Sequence, residues 1–362
     1  MKDKIAWAIL AHKNRSCKKI KELARDFEKK KKTVDFTSDE AIGLMNDIDK
    51  ATKRGVKFIT YMDKQYPEEL RHIAYPPPYL YVRGRIGLLK HPLKVTIVGS
   101  RKATGYGINV AATLGHEIAA NKICVVSGGA EGVDTAALRG ALRTSDDVIA
   151  VIGTGIDVNY PPENKKLFDT IAARGVVVSE FPMGMGPLGH NFPVRNRIMT
   201  ALGDSVVIVE AASRSGALIS AKHAEEQGKT LFAVPGNIDS PNSVGANELL
   251  RDGARFCMSS GDVIEELMER LPDKYREAQG YIYEEEESEI TETAMPQETE
   301  KPEIFTANEK AVVNAIKMGK DTYEEILEFC ALETNKLTSL LTFMEIKGII
   351  KLAFGNHYKL TK

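Results

Sequence analysis

V-T-I-V-G-S-R, Val95 to Arg101, followed by V-V-S-G-G-A-E-G, Val125 to Gly132, is the stretch that decides the fold of this chain. Each piece is a β-branched run that ends in a loop of glycine, serine or arginine and then enters a helical pattern. The same arrangement recurs six times between Val95 and Val234. It predicts strands at 94–98, 123–127, 147–152, 175–179, 205–210 and 230–234, and helices at 106–120, 133–143, 163–173, 195–202, 216–227 and 245–251. The strands are unbroken apolar runs, the pattern of a sheet covered on both faces. Strand–helix alternation with short loops implies right-handed crossovers and an open α/β fold. A parallel sheet gathers its strand-end loops along one edge, where helix N-termini offer free N–H groups, a surface suited to phosphate.

On the N-terminal side, residues 1–62 read as a small helical domain, with Ile20, Leu23 and Phe27 at helical spacing among lysines. The run Lys29 to Lys32 reads as a solvated helix end, with a DNA-backbone role as the alternative. Tyr75 to Gly84 is a proline-led loop entering a short strand. The sheet domain is expected over 63–271. Beyond it, 272–304 is expected to be an acidic disordered linker, poor in aliphatic residues. Residues 305–362 follow, with helices expected at 308–318, 321–330 and 334–347 and two strands around Gly355-Asn356, a winged-helix pattern.

The net charge of −1 hides a strong asymmetry. Residues 1–58 carry 16 basic and 9 acidic residues, whereas 272–303 carry 3 and 11. Local patches therefore decide which partners are possible. The four cysteines are scattered, which excludes a disulfide framework and a Cys-x-x-Cys zinc site. No apolar run approaches the ~20 residues that span a bilayer, so a soluble cytoplasmic protein without a membrane partner is expected.

The loops carry the chemistry. Gly99, Ser100 and Arg101 end the first strand, and Arg101 can fork onto a phosphate. Gly128 and Gly129 let a ligand approach the backbone, while Asp134 reads as a helix cap. Lys165, at the start of a helix, either tracks a phosphate backbone or is an ordinary surface residue. The segment F-P-V-R-N-R, Phe192 to Arg197, is the most specific signal: a base can stack on Phe192 while Arg195 and Arg197 hold phosphates and Asn196 lies between them. The alternative there is Phe192 in the core and Arg197 in an internal salt bridge to Glu180 or Glu210. Ser215 and Gly216 open a further helix after a strand. Neither the G-x-G-x-x-G dinucleotide fingerprint nor a Walker A motif is present, and no nucleophile is paired with a base. No cofactor, metal or catalytic residue is expected.

The ordered series G-S-R, S-G-G-A-x-G-V-D-x-A-A, G-T-G-I-D-V-x-Y-P-x-E-N, S-E-F-P, F-P-x-R-N-R-I, V-V-I-V-E-A, S-G-A-L-I-S-A, A-V-P-G-N and G-A-N-E-L-L-R-D-G-A resembles the DNA-processing protein A (DprA/Smf) family over about residues 70–256. The resemblance implies an extended Rossmann-like fold between a SAM-like N-terminal domain and a winged-helix domain. It implies binding of single-stranded DNA without sequence preference, protection of incoming DNA in natural transformation, loading of the RecA recombinase, homodimerisation and no enzymatic activity. By motif, the implied DNA contacts are Arg101, Gly128, Gly129, Phe192, Arg195 and Arg197. Leu138 stands where many relatives have histidine. The competing reading is a nucleotide-processing enzyme related to the phosphoribohydrolases, whose P-G-G-x-G-T-x-x-E segment is matched here only by S-G-G-A-E-G-V-D.

Overall fold

The computed structural model describes residues 2–12, 17–29, 38–281, 307–330, 349–353 and 357–360, together with Leu337, Leu340, Leu341 and Met344. Two compact units divide the chain, 1–286 and 287–362. The first unit runs α1 (Lys2–His12), α2 (Cys17–Glu28), α3 (Asp39–Lys53), β1 (Lys57–Thr60), α4 (Glu68–His72), β2 (Tyr79–Gly84), β3 (Lys94–Gly99), α5 (Gly105–Ala120), β4 (Cys124–Ser127), α6 (Val133–Ala141), β5 (Val148–Val151), α7 (Lys165–Arg174), β6 (Val176–Ser179), α8 (Asn191–Leu202), β7 (Ser205–Val209), α9 (Gly216–Glu226), β8 (Thr230–Ala233), α10 (Val244–Arg251), β9 (Arg255–Phe256), α11 (Ser260–Arg270) and α12 (Pro272–Gln279).

All nine strands form one sheet in the order β1-β2-β6-β5-β4-β3-β7-β8-β9. The six expected strands are present and mutually parallel. β1 and β2 join antiparallel at one edge and the two-residue β9 closes the other. The strands are apolar on both faces because both faces are covered. Val95, Ile97 and Val125 pack with Leu114, Ile118, Ala137, Phe168 and Ile171 of α5, α6 and α7. Val98, Cys124 and Val126 pack with Ile198, Leu202, Ala221 and Ala224 of α8 and α9.

Chain order and sheet order part company at one place. From β3 the chain steps outward through β4, β5 and β6, then returns to place β7 on the other side of β3. The crossovers leaving β3 and β7 therefore diverge, and a crevice opens above their carboxyl ends. Gly99 sits at that point, paired with Val209. A Cβ on Gly99 would lie 1.8 Å from the Val209 carbonyl oxygen and 2.8 Å from Val133 Cγ2.

Two expectations need correcting. Residues 57–60, counted with the N-terminal helices, are β1 of the sheet. Trp7 holds those helices to the same edge by donating from Nε1 to the Pro78 carbonyl (2.9 Å) and stacking on Tyr61. Residues 272–279, expected to begin the disordered linker, are helix α12. Its charged composition hides an apolar seam, Leu271, Tyr275 and Ala278, that packs on the core. Tyr281 then lies edge-on to His91 with ring centres 4.5 Å apart. Residues 282–304 of the expected linker, and Lys30 to Lys32 of the lysine run, lie outside the described residues.

The second unit contains α13 (Ala307–Lys317), α14 (Tyr323–Cys330) and a hairpin of β10 (Ile350–Ala353) with β11 (His357–Leu360). Val312, Ala315, Ile326, Leu337, Leu341, Met344 and Ile350 form its own core. Most of the helix expected at 334–347, and the Gly355-Asn356 turn, lie outside the described residues.

Gly99→Ala is expected to force β3 and β7 apart at the crevice and to lower stability by about 1–3 kcal/mol or more, the usual cost of overpacking. Urea denaturation measures it; a midpoint equal to the wild type's would show that the close approach is not needed.

Candidate nucleic-acid interface

The fourth crossover helix, expected from residue 195, begins four residues sooner, with α8 starting at Asn191, and that changes the site. Pro193 is tolerated because the first turn of a helix needs none of its own N–H groups bonded. With Phe192 inside the helix, Phe192, Arg195, Asn196 and Met199 fall at i, i+3, i+4 and i+7. Those positions share one face. All four line a cavity of about 670 Å³ above the divergence of β3 and β7.

The other walls come from the loops that the topology brings together. Gly99, Ser100, Arg101 and Lys102 follow β3, Ala130 and Asp134 open α6, Tyr160 follows β5, and Ser215, Gly216 and Ser220 open α9. Ser215 caps α9 by accepting from the Ala217 N–H (3.2 Å). Gly216 leaves open space where a side chain would stand, and its carbonyl accepts from Asn196 Nδ2 (3.3 Å). Ser100 is buried; its Oγ accepts from the Lys102 N–H, and its carbonyl accepts from Val133 N–H where α6 begins.

Arg101 lies over the Phe192 ring, 4.7 Å from its centre. Tyr160 packs on the same ring at 5.5 Å. Phe192 is half-buried rather than a core residue, and the face expected to carry a base already carries a guanidinium. Arginine planes stack bases as aromatic rings do, so the pair presents one composite platform. Arg101 and Lys102 are exposed, and neither forms an ion pair among the described residues.

Arg195 forms the floor of the cavity. It is 3% exposed and donates from Nη1 to the Val151 carbonyl, while its Nε is buried without a hydrogen-bond partner among the described residues. Burial pushes its pKa down to about 10; the Asp134 carboxylate opposes that shift and the Arg101 charge adds to it. Burial in turn raises Asp134, against Arg195 and N–H groups that include Gly128's (3.2 Å). The cavity thus sets two arginines and a lysine against one masked carboxylate, which favours an anion. Ser220 Oγ, also on the cavity wall, is buried and unpartnered among the described residues.

Four expected contacts lie elsewhere. Arg197 is two residues beyond Arg195 and so points about 200° away around the helix. It is buried in an ion pair with Glu180, one of the two internal partners considered. Gly128 and Gly129 face protein rather than ligand. A Cβ on Gly128 would meet the Arg195 guanidinium at 1.9 Å, and one on Gly129, at φ +64°, would meet Phe168 at 2.5 Å. Lys165 is exposed and pairs with Asp169 one turn on (2.7 Å). The glycines are places of close approach, as expected, but the approaching group is a side chain that only the tertiary fold supplies.

Sequence reasoning missed Lys102, Tyr160 and Ser220, and considered Glu210 only as a partner for Arg197. In the sequence Tyr160 stands only as part of a chain-turning Tyr-Pro-Pro. Glu210, at the end of β7, holds φ +55° and is buried. A non-glycine residue there is strained and marks functional edges. Its carboxylate accepts from the Thr104 N–H (2.8 Å) and hydroxyl, which fixes the start of α5, and Gly107 leaves it room.

The comparisons with known proteins show the family and the fold. The family model for DNA recombination-mediator protein A matches residues 57–268. The chain belongs to that family. It is 32% identical over 321 residues to the Smf protein of Synechocystis, covering 85% of this chain and 81% of that protein. The X-ray structure of DNA processing protein A from Streptococcus pneumoniae superposes with a TM-score of 0.60 at 34% identity, covering 74% of this chain and 93% of the other. DNA processing protein A of Helicobacter pylori, solved in a study of its single-stranded DNA binding mode, gives 0.53 at 33% identity over 59% and 96% of the two chains.

Removing one partner of the Glu180–Arg197 pair leaves a buried charge alone. Glu180→Ala is expected to cost about 3–5 kcal/mol in chemical denaturation while sparing ligand affinity in the folded fraction. A variant as stable as the wild type would show that the pair contributes nothing to folding.

Proposed function

We infer that this protein binds single-stranded DNA without sequence preference, and that the crevice between β3 and β7 is its track. One observation carries the reading: the 3.6-residue period of α8 brings Phe192, Arg195 and Asn196 into a single cavity that Arg101, stacked on Phe192, also lines. Arg101 and Lys102 supply exposed positive charge for phosphates, the Arg101–Phe192 pair supplies a stacking plane, and Arg195 supplies buried charge below. Ser100, Ser215, Gly216 and Asn196 add backbone and side-chain polar groups around the rim. Every base has a π-face and every nucleotide a phosphate, so such a site has little reason to discriminate sequence. The single-stranded DNA binding named for the Helicobacter pylori relative supports the same reading.

Around this site Gly99, Gly128, Gly129, Arg197 and Lys165 act by shaping: the glycines admit Val209, Arg195 and Phe168, and the ion pairs fix α8 and α7. Membership of the family extends the proposal to protection of incoming DNA and loading of the RecA recombinase by a cytoplasmic homodimer, a binding rather than a catalytic role. The organisation that goes with it is a helical N-terminal domain, a Rossmann-like DNA-binding domain, an acidic linker and a winged-helix domain. For the last, two helices followed by a hairpin around a separate core are the supporting features.

An oligo-dT titration followed by fluorescence anisotropy tests the reading. Tight binding at low salt that weakens as salt rises is expected, because phosphate contacts release counterions; absence of binding at low salt would refute it. Phe192→Ala is expected to cost about 1–3 kcal/mol of affinity, and Arg101→Ala is expected to weaken dT and mixed-sequence oligonucleotides alike.

A further inference from the structure

A second cationic surface lies outside the cavity, on the outer face of the helix layer. The groove between α6 and α7 has a volume of about 290 Å³ and is lined by Arg139, Leu142, Arg143, Lys166, Leu167 and Thr170. Leu142 and Leu167 are its buried floor, and the three cations are exposed. No acidic residue lines it.

Neighbouring cations on this side are neutralised: Lys165 and Arg83 by Asp169, Arg174 by Asp146, and Arg85 by Asp147. Arg139, Arg143 and Lys166 form no ion pair among the described residues. Arg139 and Arg143 stand four residues apart, and the chain stays helical through Leu142 at the end of α6. Like charges one turn apart weaken a helix, although the dipole at the end of α6 favours each of these cations.

The groove and the cavity share helix α6 but open on different sides of it, because Arg139, five residues beyond Asp134, is turned about 140° around the helix. α6 begins at the cavity wall, where Asp134 lies, and descends from it. At a rise of about 1.5 Å per residue, Arg139 lies about 8 Å and Arg143 about 13 Å along that axis. Lys166 stands in the first turn of α7, where the helix dipole adds positive potential.

We propose that the α6/α7 groove is a second phosphate-binding segment for the same DNA strand that the cavity holds, reached by a strand that leaves the cavity and wraps around α6. The inference rests on the cavity being a single-strand site. No aromatic residue lines the groove, so it holds the backbone electrostatically and stacks no base. It lengthens the site without adding sequence preference.

The test uses the full chain, wild type and Arg139→Ala/Arg143→Ala/Lys166→Ala, with oligo-dT of about 6 and about 20 nucleotides, lengths chosen against typical single-strand site sizes. Thermal unfolding checks the fold, and Arg143→Glu/Lys166→Glu serves as a second variant that leaves Arg139 intact. The expected result is at least a tenfold loss on the long oligonucleotide at low salt, with the short one within twofold of wild type. On the long oligonucleotide, the slope of log affinity against log salt should become shallower by about 2, because each neutralised phosphate contributes about 0.7. Equal affinity of wild type for both lengths, an unchanged long-oligonucleotide affinity in both variants, or an equal loss on both lengths would each overturn the groove. Failure of the wild type to bind either length would instead refute the cavity reading on which the groove depends.

Discussion

The rest of the structure depends on how closely β3 and β7 approach at Gly99. The two strands are neighbours in the sheet but far apart in sequence, and the crossovers that leave them run in opposite directions. The carbonyl of Val209 occupies the space a side chain on residue 99 would need. That close approach lets the strands stay in register to their last residue, and the loops above them must then diverge. The cavity is the volume left between them. Its walls carry exposed arginine and lysine because the loop after β3 has no carboxylate of its own to neutralise them. Two buried acids beside them, Asp134 and Glu210, are turned inward, Asp134 toward backbone N–H groups and Arg195, Glu210 toward Thr104.

The second controlling feature is helical period. F-P-V-R-N-R contains four residues that resemble nucleic-acid contacts, and a linear reading treats them alike. Starting α8 at Asn191 separates them. Phe192, Arg195 and Asn196 face the crevice, whereas Arg197 turns into the protein and pairs with Glu180. One short segment therefore supplies a wall of the cavity and, on its opposite side, an anchor for the helix that carries it. An ion pair of that kind is costly to break and holds α8 at the angle the wall requires.

Much of this was legible in the sequence. Unbroken β-branched runs separated by glycine loops specify a two-sided parallel sheet, because only burial on both faces tolerates them. The collinear motifs identify the family, and the cavity draws on loops whose composition suits phosphate. Other features could not be read. Gly128 and Gly129 mark close approach, but a glycine does not say what approaches it. Tyr160 becomes part of the site only because β5 lies two strands from β3. Helix α12 was hidden by charge, since Tyr275 and Ala278, with Leu271 just before the helix, carry too weak a period to outweigh four charged residues in eight.

The sequence by itself determined the six parallel strands, their covered faces and the edge on which the loops gather, because those follow from local hydrophobic period and turn chemistry. The tertiary structure decided which residues on that edge form a site. Burial and charge pairing are properties of neighbours, and neighbours such as Arg195 and Gly128, Arg101 and Phe192, or Arg197 and Glu180 meet only when separate crossovers pack together. The same rule sorts the cations. Lys165 and Lys166 are adjacent and alike in sequence, yet Asp169, one turn along α7 and shared with Arg83 of β2, neutralises the first and leaves the second exposed.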